Sequence, residues 1–256
     1  MHKKSKSISL SLSGGALRVA AHIGVIRFLK EKDIDISAVS GSSAGAMIAL
    51  LLASGVEYTK MEEFIKSLKR RDLMKFTSNS GIFHLGGIKS KLLDRFKDNL
   101  LYQNIPCYVA VTNILNGEVE YLNSGDMVEN TIASSSLIPL FTPVRLNGKL
   151  YADGGLKDNL PVKPLLRYNN PILGIDLNPL PQSEPNSFWN LSLHTIMLVL
   201  QNSTIPSKEL SNYTLSIDGI ETMHLFDFSM IDKAIEMGYE SISNSWFQIE
   251  RTLFSN

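Results

Sequence analysis

Residues Ala44–Ala53, AGAMIALLLA, are small or apolar on nearly every face of the helix they would form. Such a helix cannot lie on a surface; it has to be enclosed by the rest of the protein. It is also too short to cross a bilayer, which takes about twenty residues. Residues 34–39 before it read as an apolar strand, and Ser40-Gly41-Ser42 as the turn between them. A buried strand–turn–helix of this kind belongs to a layered α/β architecture.

The rest of the chain alternates the same two periods. Ile8, Leu10 and Leu12 alternate with serines as in a strand, and Val19, Ile23, Ile26 and Leu29 then recur at helical spacing. Helices are predicted over 57–71, 88–100, 126–134, 191–201 and 231–254. Further strands are predicted over 108–111, 118–122, 144–146, 150–152, 172–177 and 213–217. Asn116-Gly117 and Asn147-Gly148 are hairpin signals. Residues 77–87 and 178–186 read as loops. No repeat or linker interrupts the 256 residues. The expectation is one domain over 1–256, with its motifs in 7–177 and a helical C-terminal region in 187–256.

Twenty-five basic residues balance twenty-five acidic ones. A net charge of zero gives no long-range attraction to nucleic acid, and no nucleic-acid partner is expected. The lone cysteine, Cys107, cannot form an internal disulfide, which suits a reducing compartment. The apolar stretch behind the basic start is broken by Ser9, Ser11, Ser13 and Arg18, so it reads as a strand rather than a signal peptide. The expected setting is cytoplasmic, with peripheral membrane contact and no membrane-spanning segment. The Lys3, Lys4 and Lys6 cluster reads as a solvated terminus, too weakly charged to anchor alone.

VSGSSAGAM contains Gly41-Ser42-Ser43-Ala44-Gly45, a G-x-S-x-G pattern between a strand and a helix. A sharp strand-to-helix turn needs small residues around its middle position. That position, Ser43, then presents its hydroxyl at a helix N-terminus, where developing negative charge is favoured. The bland reading is an N-cap serine in an ordinary turn. A serine nucleophile needs a base and oxyanion donors. The turn S-G-G-A-L-R, with Gly14 and Gly15, ends the neighbouring strand and offers backbone N–H groups at close approach. A dinucleotide turn fits less well, because the G-x-G-x-x-G spacing is missing and no acidic residue ends the second strand.

The base is less determined by spacing. Ser43, Asp153 and His224 follow the order of a Ser–Asp–His triad, but neither His224 nor His194 is flanked by loop-type residues. Asp153 directly follows a strand in YADGGLKDNLPV, with Gly154 and Gly155 behind it. That is a catalytic placement, and also a common β-turn. Asp158 and Asp176 rank below it.

Taken in order, S-G-G-A-L-R, G-S-S-A-G and D-G-G resemble the motifs of the patatin-like phospholipase family. AHIGVIRFL, ASSSLIPLFTPVRLNGKLYADGGLKDNLPV and DKAIEMGYESI strengthen the resemblance, which is dense from Ser7 to Leu177. It implies a three-layer α/β/α sandwich with a mostly parallel central sheet. It implies a serine lipid acyl hydrolase acting on fatty acyl esters of phospholipids, lysophospholipids or acylglycerols, with no metal or other cofactor. Ser43 matches the nucleophile in its elbow and Asp153 the base of a Ser-Asp dyad. Gly14, Gly15 and Ala16 match the oxyanion loop, and Arg18 the basic position after it. Gly41, Gly45, Gly154 and Gly155 match the motif glycines. The implied partner is a membrane or micellar lipid. Four positions depart from the family pattern: Ser13 and Val19 replace glycines, Ser42 replaces the common threonine of the elbow, and Pro139 comes one place late. The alternatives are a small-ester hydrolase with a Ser-Asp-His triad and a catalytically weak lipid-binding protein. Ile82-Phe83, Leu140-Phe141 and Phe188-Trp189 are expected at the lipid-facing mouth.

Overall fold

A computed structural model describes residues 6–73, 75–77, 81–180 and 184–255. Lys3 and Lys4 lie outside them, while Lys6 pairs with Glu250. The first half of the chain runs β1 (Lys6–Leu12), α1 (Ala20–Glu31), β2 (Ile34–Ser42), α2 (Ala44–Ala53), α3 (Tyr58–Ser67), α4 (Arg70–Leu73), β3 (Lys75–Phe76), β4 (Phe83–His84) and α5 (Gly86–Phe96). Then come β5 (Cys107–Asn113), β6 (Val119–Leu122), α6 (Met127–Ser134), β7 (Val144–Leu146), β8 (Lys149–Asp153), β9 (Ile172–Asp176), α7 (Phe188–Leu210), β10 (Tyr213–Ser216) and α8 (Ile231–Phe254).

The main sheet has the order β10-β9-β1-β2-β5-β8-β7, with β6 also on β5. From β10 to β5 every pairing is parallel. Both faces are covered. Val39, Val109 and Leu173 belong to a large apolar cluster, and their neighbours Ala38, Tyr108 and Ile172 to a smaller one under Leu160, Val162 and Leu165. Successive strand residues face opposite ways, so the two clusters lie on opposite faces. The result is a three-layer α/β/α sandwich around a mostly parallel sheet. The serines of β1 do not mark a solvent face. Ser9 and Ser11 are buried, and Ser40 beside them donates to the Pro161 carbonyl at 2.6 Å.

The register of β5 sets up the site. Val39 to Ser42 of β2 pair with Cys107 to Ala110, and Val111 to Asn113 pair with Asp153 to Tyr151 of β8. β6 takes the opposite edge. β2 runs parallel to β5 and β8 antiparallel, along the same edge. Their C-terminal ends therefore meet head to head between Ala110 and Val111.

α2 is enclosed as its composition requires, with Ile48 and Leu51 fully buried. The helix expected over 57–71 divides into α3 and α4. Two short strands pair antiparallel, β3 just before the loop expected over 77–87 and β4 inside it. α7 runs well beyond its expected end at 201, with Pro206 inside it. α1 and α8 cross closely at two glycines: a Cβ on Gly24 would lie 1.9 Å from the Ile235 carbonyl oxygen, and one on Gly238 2.0 Å from that of Ala21. Among the described residues no helix is long and apolar enough to cross a membrane.

Candidate active site

Ser43 sits where β2 turns into α2, at φ 54° and ψ −133°. This conformation is strained for a residue with a Cβ. The turn closes only because its flanks are bare. A Cβ on Gly41 would meet the Gly45 carbonyl oxygen at 2.5 Å, and one on Gly45 would meet that of Ser13 at 2.4 Å. The Ser43 N–H donates to Ser134 Oγ at 2.8 Å, and that hydroxyl donates to the Ala110 carbonyl. The Ser43 hydroxyl donates to Asp153 Oδ2 at 2.6 Å.

Asp153 ends β8 and is buried. Its other oxygen, Oδ1, accepts the Gly155 N–H at 2.8 Å. Its own carbonyl accepts from Thr112 Oγ1, and its N–H donates to the Ser136 carbonyl. Gly154 is required here, since a Cβ would lie 2.1 Å from the Ala110 carbonyl oxygen. Burial pushes the Asp153 carboxyl up to about 7, against the opposing pull of the hydrogen bonds from Ser43 and Gly155.

The first glycine turn lies against Ser43. A Cβ on Gly14 would stand 2.7 Å from both Ser43 Cβ and Asn159 Oδ1. The Gly14 N–H donates to Asn159 Oδ1 at 3.1 Å, and the Gly14 carbonyl accepts from Asn178 Nδ2 at 2.9 Å. A trans peptide is planar, so fixing the Gly14 carbonyl also aims the Gly15 N–H the opposite way. Gly15 and Ala16 line the cleft over Ser43. Neither N–H donates to a protein group among the described residues. Asn159 is itself held by α7: Ser203 Oγ accepts its N–H and donates to the Gly155 carbonyl, and Ser207 donates to Asp158.

Arg18 points away from Ser43. Its guanidinium donates to the carbonyls of Met223, Leu177, Pro179 and Glu221. Burial lowers it to about 10, so it stays charged at neutral pH. Val19 packs into the core beside it. Ser13 gains a use a glycine would lack, since its hydroxyl accepts the Leu177 N–H and an Asn178 Nδ2–H; its backbone carbonyl accepts from His22 Nε2.

The remaining candidates lie elsewhere. Asp158 accepts from Tyr121 and Ser207, and Asp176 pairs with Lys208. His194 and His224 line a neighbouring cavity and not the cleft that holds Ser43 and Asp153. Among the described residues no three His, Cys, Asp or Glu side chains are grouped to hold a metal ion. Cys107 is buried, and burial pushes its thiol up to about 12.

The cleft itself is narrow, about 70 Å³, and walled by Met47, Leu85, Ile88, Ile132, Leu137 and Phe141 among others. Of the residues expected at its mouth, Phe188 is 84% exposed, and Trp189 and Ile82 are exposed as well. Phe83 is half-buried, while Leu140 and Phe141 are core. The sequence reading singles out none of Asn159, Asn178, Ser134 and Ser203, although Ser134 and Asn159 lie inside the ASSSLIPLFTPVRLNGKLYADGGLKDNLPV segment that supports the resemblance.

A family model described as patatin-like phospholipase matches residues 10–166. An uncharacterized NTE family protein of Mycobacterium tuberculosis is 32% identical over 197 residues, covering 71% of this chain and 53% of that protein. Lysophospholipase nte1 of Neurospora crassa is 30% identical over 201 residues, covering 72% of this chain and 13% of its own length. The chain thus spans about half the length of the mycobacterial relative and a small part of the fungal one. Among solved structures, VipD from Legionella pneumophila superposes with a TM-score of 0.59 at 16% identity, covering 94% of this chain and 66% of that one. The type III effector protein ExoU does so at 0.54 and 14%, covering 96% and 53%. These two likenesses concern the fold. The family match spans the strand–turn–helix elbow, the glycine turn and the D-G-G loop that surround the Ser43–Asp153 contact, and with it the chain belongs to the patatin-like phospholipase family.

Proposed function

We propose that this chain is a serine lipid acyl hydrolase that cleaves fatty acyl esters of phospholipids, lysophospholipids or acylglycerols with a Ser43–Asp153 dyad. The observation that carries this reading is the 2.6 Å hydrogen bond from the Ser43 hydroxyl to a buried carboxylate at an apolar cleft. The name of the Neurospora relative, a lysophospholipase, supports the substrate class.

In this mechanism the Ser43 oxygen attacks the ester carbonyl carbon as its proton passes to Asp153 Oδ2. The oxyanion accepts the free N–H groups of Gly15 and Ala16, at the positive end of α2. Collapse expels the alcohol, which takes the proton from Asp153. Water then gives a proton to Asp153 and attacks the acyl-serine, and Ser43 leaves with that proton. A carboxyl near 7 is a far better base than an exposed aspartate, and its basicity is matched to neutral pH. Gly14 serves by holding the turn through Asn159. The lipid is met at a membrane or micelle surface through the exposed Phe188 and Trp189 at the start of α7, in a cytoplasmic setting.

A fluorophosphonate probe tests the reading. It should label the wild type and fail on Ser43→Ala. Fatty acid release from mixed lipid micelles should be lost in Ser43→Ala and in Asp153→Asn. Labelling at another residue, or turnover that survives either substitution, sinks the dyad.

A further inference from the structure

Beside the cleft over Ser43 lies a second cavity of about 540 Å³. That is within the roughly 300–1,000 Å³ of small-ligand sites. Leu193, Leu225 and Phe226 line both, so the two spaces adjoin across these side chains. Their chemistry is opposite. The cleft is walled by carbon, whereas the cavity presents Arg70, His194 and His224 together with Glu184 and Asp227. The side chains of Arg70 and His194 have no ion-pair or hydrogen-bonding partner among the described residues, unlike Arg27 and Arg95, which pair with Glu236 and Glu63, while His224 faces the charge of Asp227. Arg18 reaches the same wall with its donors already taken by four carbonyls. Asp227 accepts from the Ser229 hydroxyl and N–H, which holds its carboxyl below the usual range and keeps it charged.

We propose that this cavity is the headgroup site for a zwitterionic phosphodiester lipid. The phosphate lies against Arg70 and the two imidazoles, and the ammonium against Glu184, Asp227 and the Phe226 ring. The ester of the same molecule reaches Ser43 through the adjoining cleft. The assignment rests on the lipid hydrolase reading above. Charge balance selects the headgroup. Arg18 is already answered by its four carbonyls and by Glu221 and Asp176, which leaves Arg70 and the imidazoles facing two carboxylates; an anionic headgroup leaves those carboxylates opposed, and a neutral glycerol leaves both signs unanswered. A zwitterion answers both signs. Arginine is the usual partner of a phosphate, and an aromatic face is a usual partner of a quaternary or primary ammonium.

The test compares lysophosphatidylcholine, lysophosphatidic acid and monoacylglycerol carrying one acyl chain, in detergent micelles. Wild-type kcat/KM should favour the choline lipid at least tenfold over the other two. Arg70→Met and, separately, His224→Gln should reduce that ratio tenfold; both positions are exposed, and both variants are expected to fold. Glu184→Gln should shift preference toward lysophosphatidic acid. A second readout needs no turnover: glycerophosphocholine should bind Ser43→Ala protein in calorimetry, inorganic phosphate at least tenfold more weakly, and Arg70→Met in that background should remove the heat. Ester cleavage with no headgroup preference and no glycerophosphocholine binding overturns the site and leaves the hydrolase reading intact. Arg70-dependent binding in a protein that cleaves no ester upholds the site and overturns the hydrolase reading.

Discussion

Asp153 holds its proton more tightly than an exposed aspartate because burial strips water from its charged form, while the Ser43 and Gly155 hydrogen bonds only partly restore it. If it is the base, turnover should rise with pH through about 7 as the carboxyl ionises. The same shift couples to stability. Between the unfolded value of 3.8 and about 7, the folded protein keeps a proton that the unfolded chain has released. This carboxyl therefore contributes stability that is full below the unfolded value and is lost as pH rises through the folded one. Asp153→Asn stays neutral throughout. Its stability gain over wild type should grow by about 3 kcal/mol between pH 5 and pH 8, measured by denaturant melts. A gain independent of pH would show that the carboxyl is not shifted. Asn178 makes a second case at this scale. It fixes the Gly14 carbonyl and thereby the aim of the Gly15 N–H. Asn178→Ala should lower kcat about tenfold to a hundredfold with little change in KM, since the oxyanion exists only along the reaction path. A loss confined to KM would place Asn178 in substrate binding instead. Ser43 could be singled out in the sequence because its neighbours must be small, and Asp153 because its place at a strand end agreed with the family resemblance. Asn178, Asn159 and Ser203 could not, because their partners lie far away in the chain and nothing local distinguishes them from loop or helix polar residues.

The elements were legible where one local constraint sufficed. The all-apolar α2 had to be buried, and Asn147-Gly148 had to turn; both take positive φ there. Elements whose limits depend on tertiary contacts were not. The sequence NSTIPSKEL looks like the end of a helix, yet α7 continues through it. Ser203, Thr204 and Ser207 are held against the 154–159 loop or buried, and Pro206 faces outward, so packing outweighs the hydrogen bond that proline removes. The α1–α8 crossing is of the same kind. Gly24 and Gly238 read as unremarkable helix glycines until the helices are seen back to back. A methyl at either would collide with backbone, which can yield only by separating the helices. Gly24→Ala and Gly238→Ala should each lower stability by about 3 kcal/mol, although alanine favours helix by about 1 kcal/mol in isolation. Urea midpoints that move upward would refute the close crossing.

At the scale of the molecule, the C-terminal third is tied to the motif-bearing part at several separate places. β10 extends the sheet on β9, the Leu17 N–H donates to the Leu225 carbonyl, and Arg18 bonds the Met223 carbonyl. α8 covers α1, with Trp246 edge-on to Phe28 at 5.3 Å between ring centroids. The glycine turn beside Ser43 is thus braced from behind by residues more than 150 positions later in the chain. We propose that the chain unfolds as one cooperative unit, and that the glycine turn beside Ser43 cannot stay formed once α8 leaves. In a Trp189→Phe background the remaining tryptophan, Trp246, reports the α1–α8 contact. Far-UV circular dichroism reports the sheet and helices, and fluorophosphonate labelling reports the Ser43 site. All three should lose their signals at one urea concentration. Tryptophan exposure preceding the loss of labelling would mean that the last helix departs from a core that keeps the Ser43 site without it.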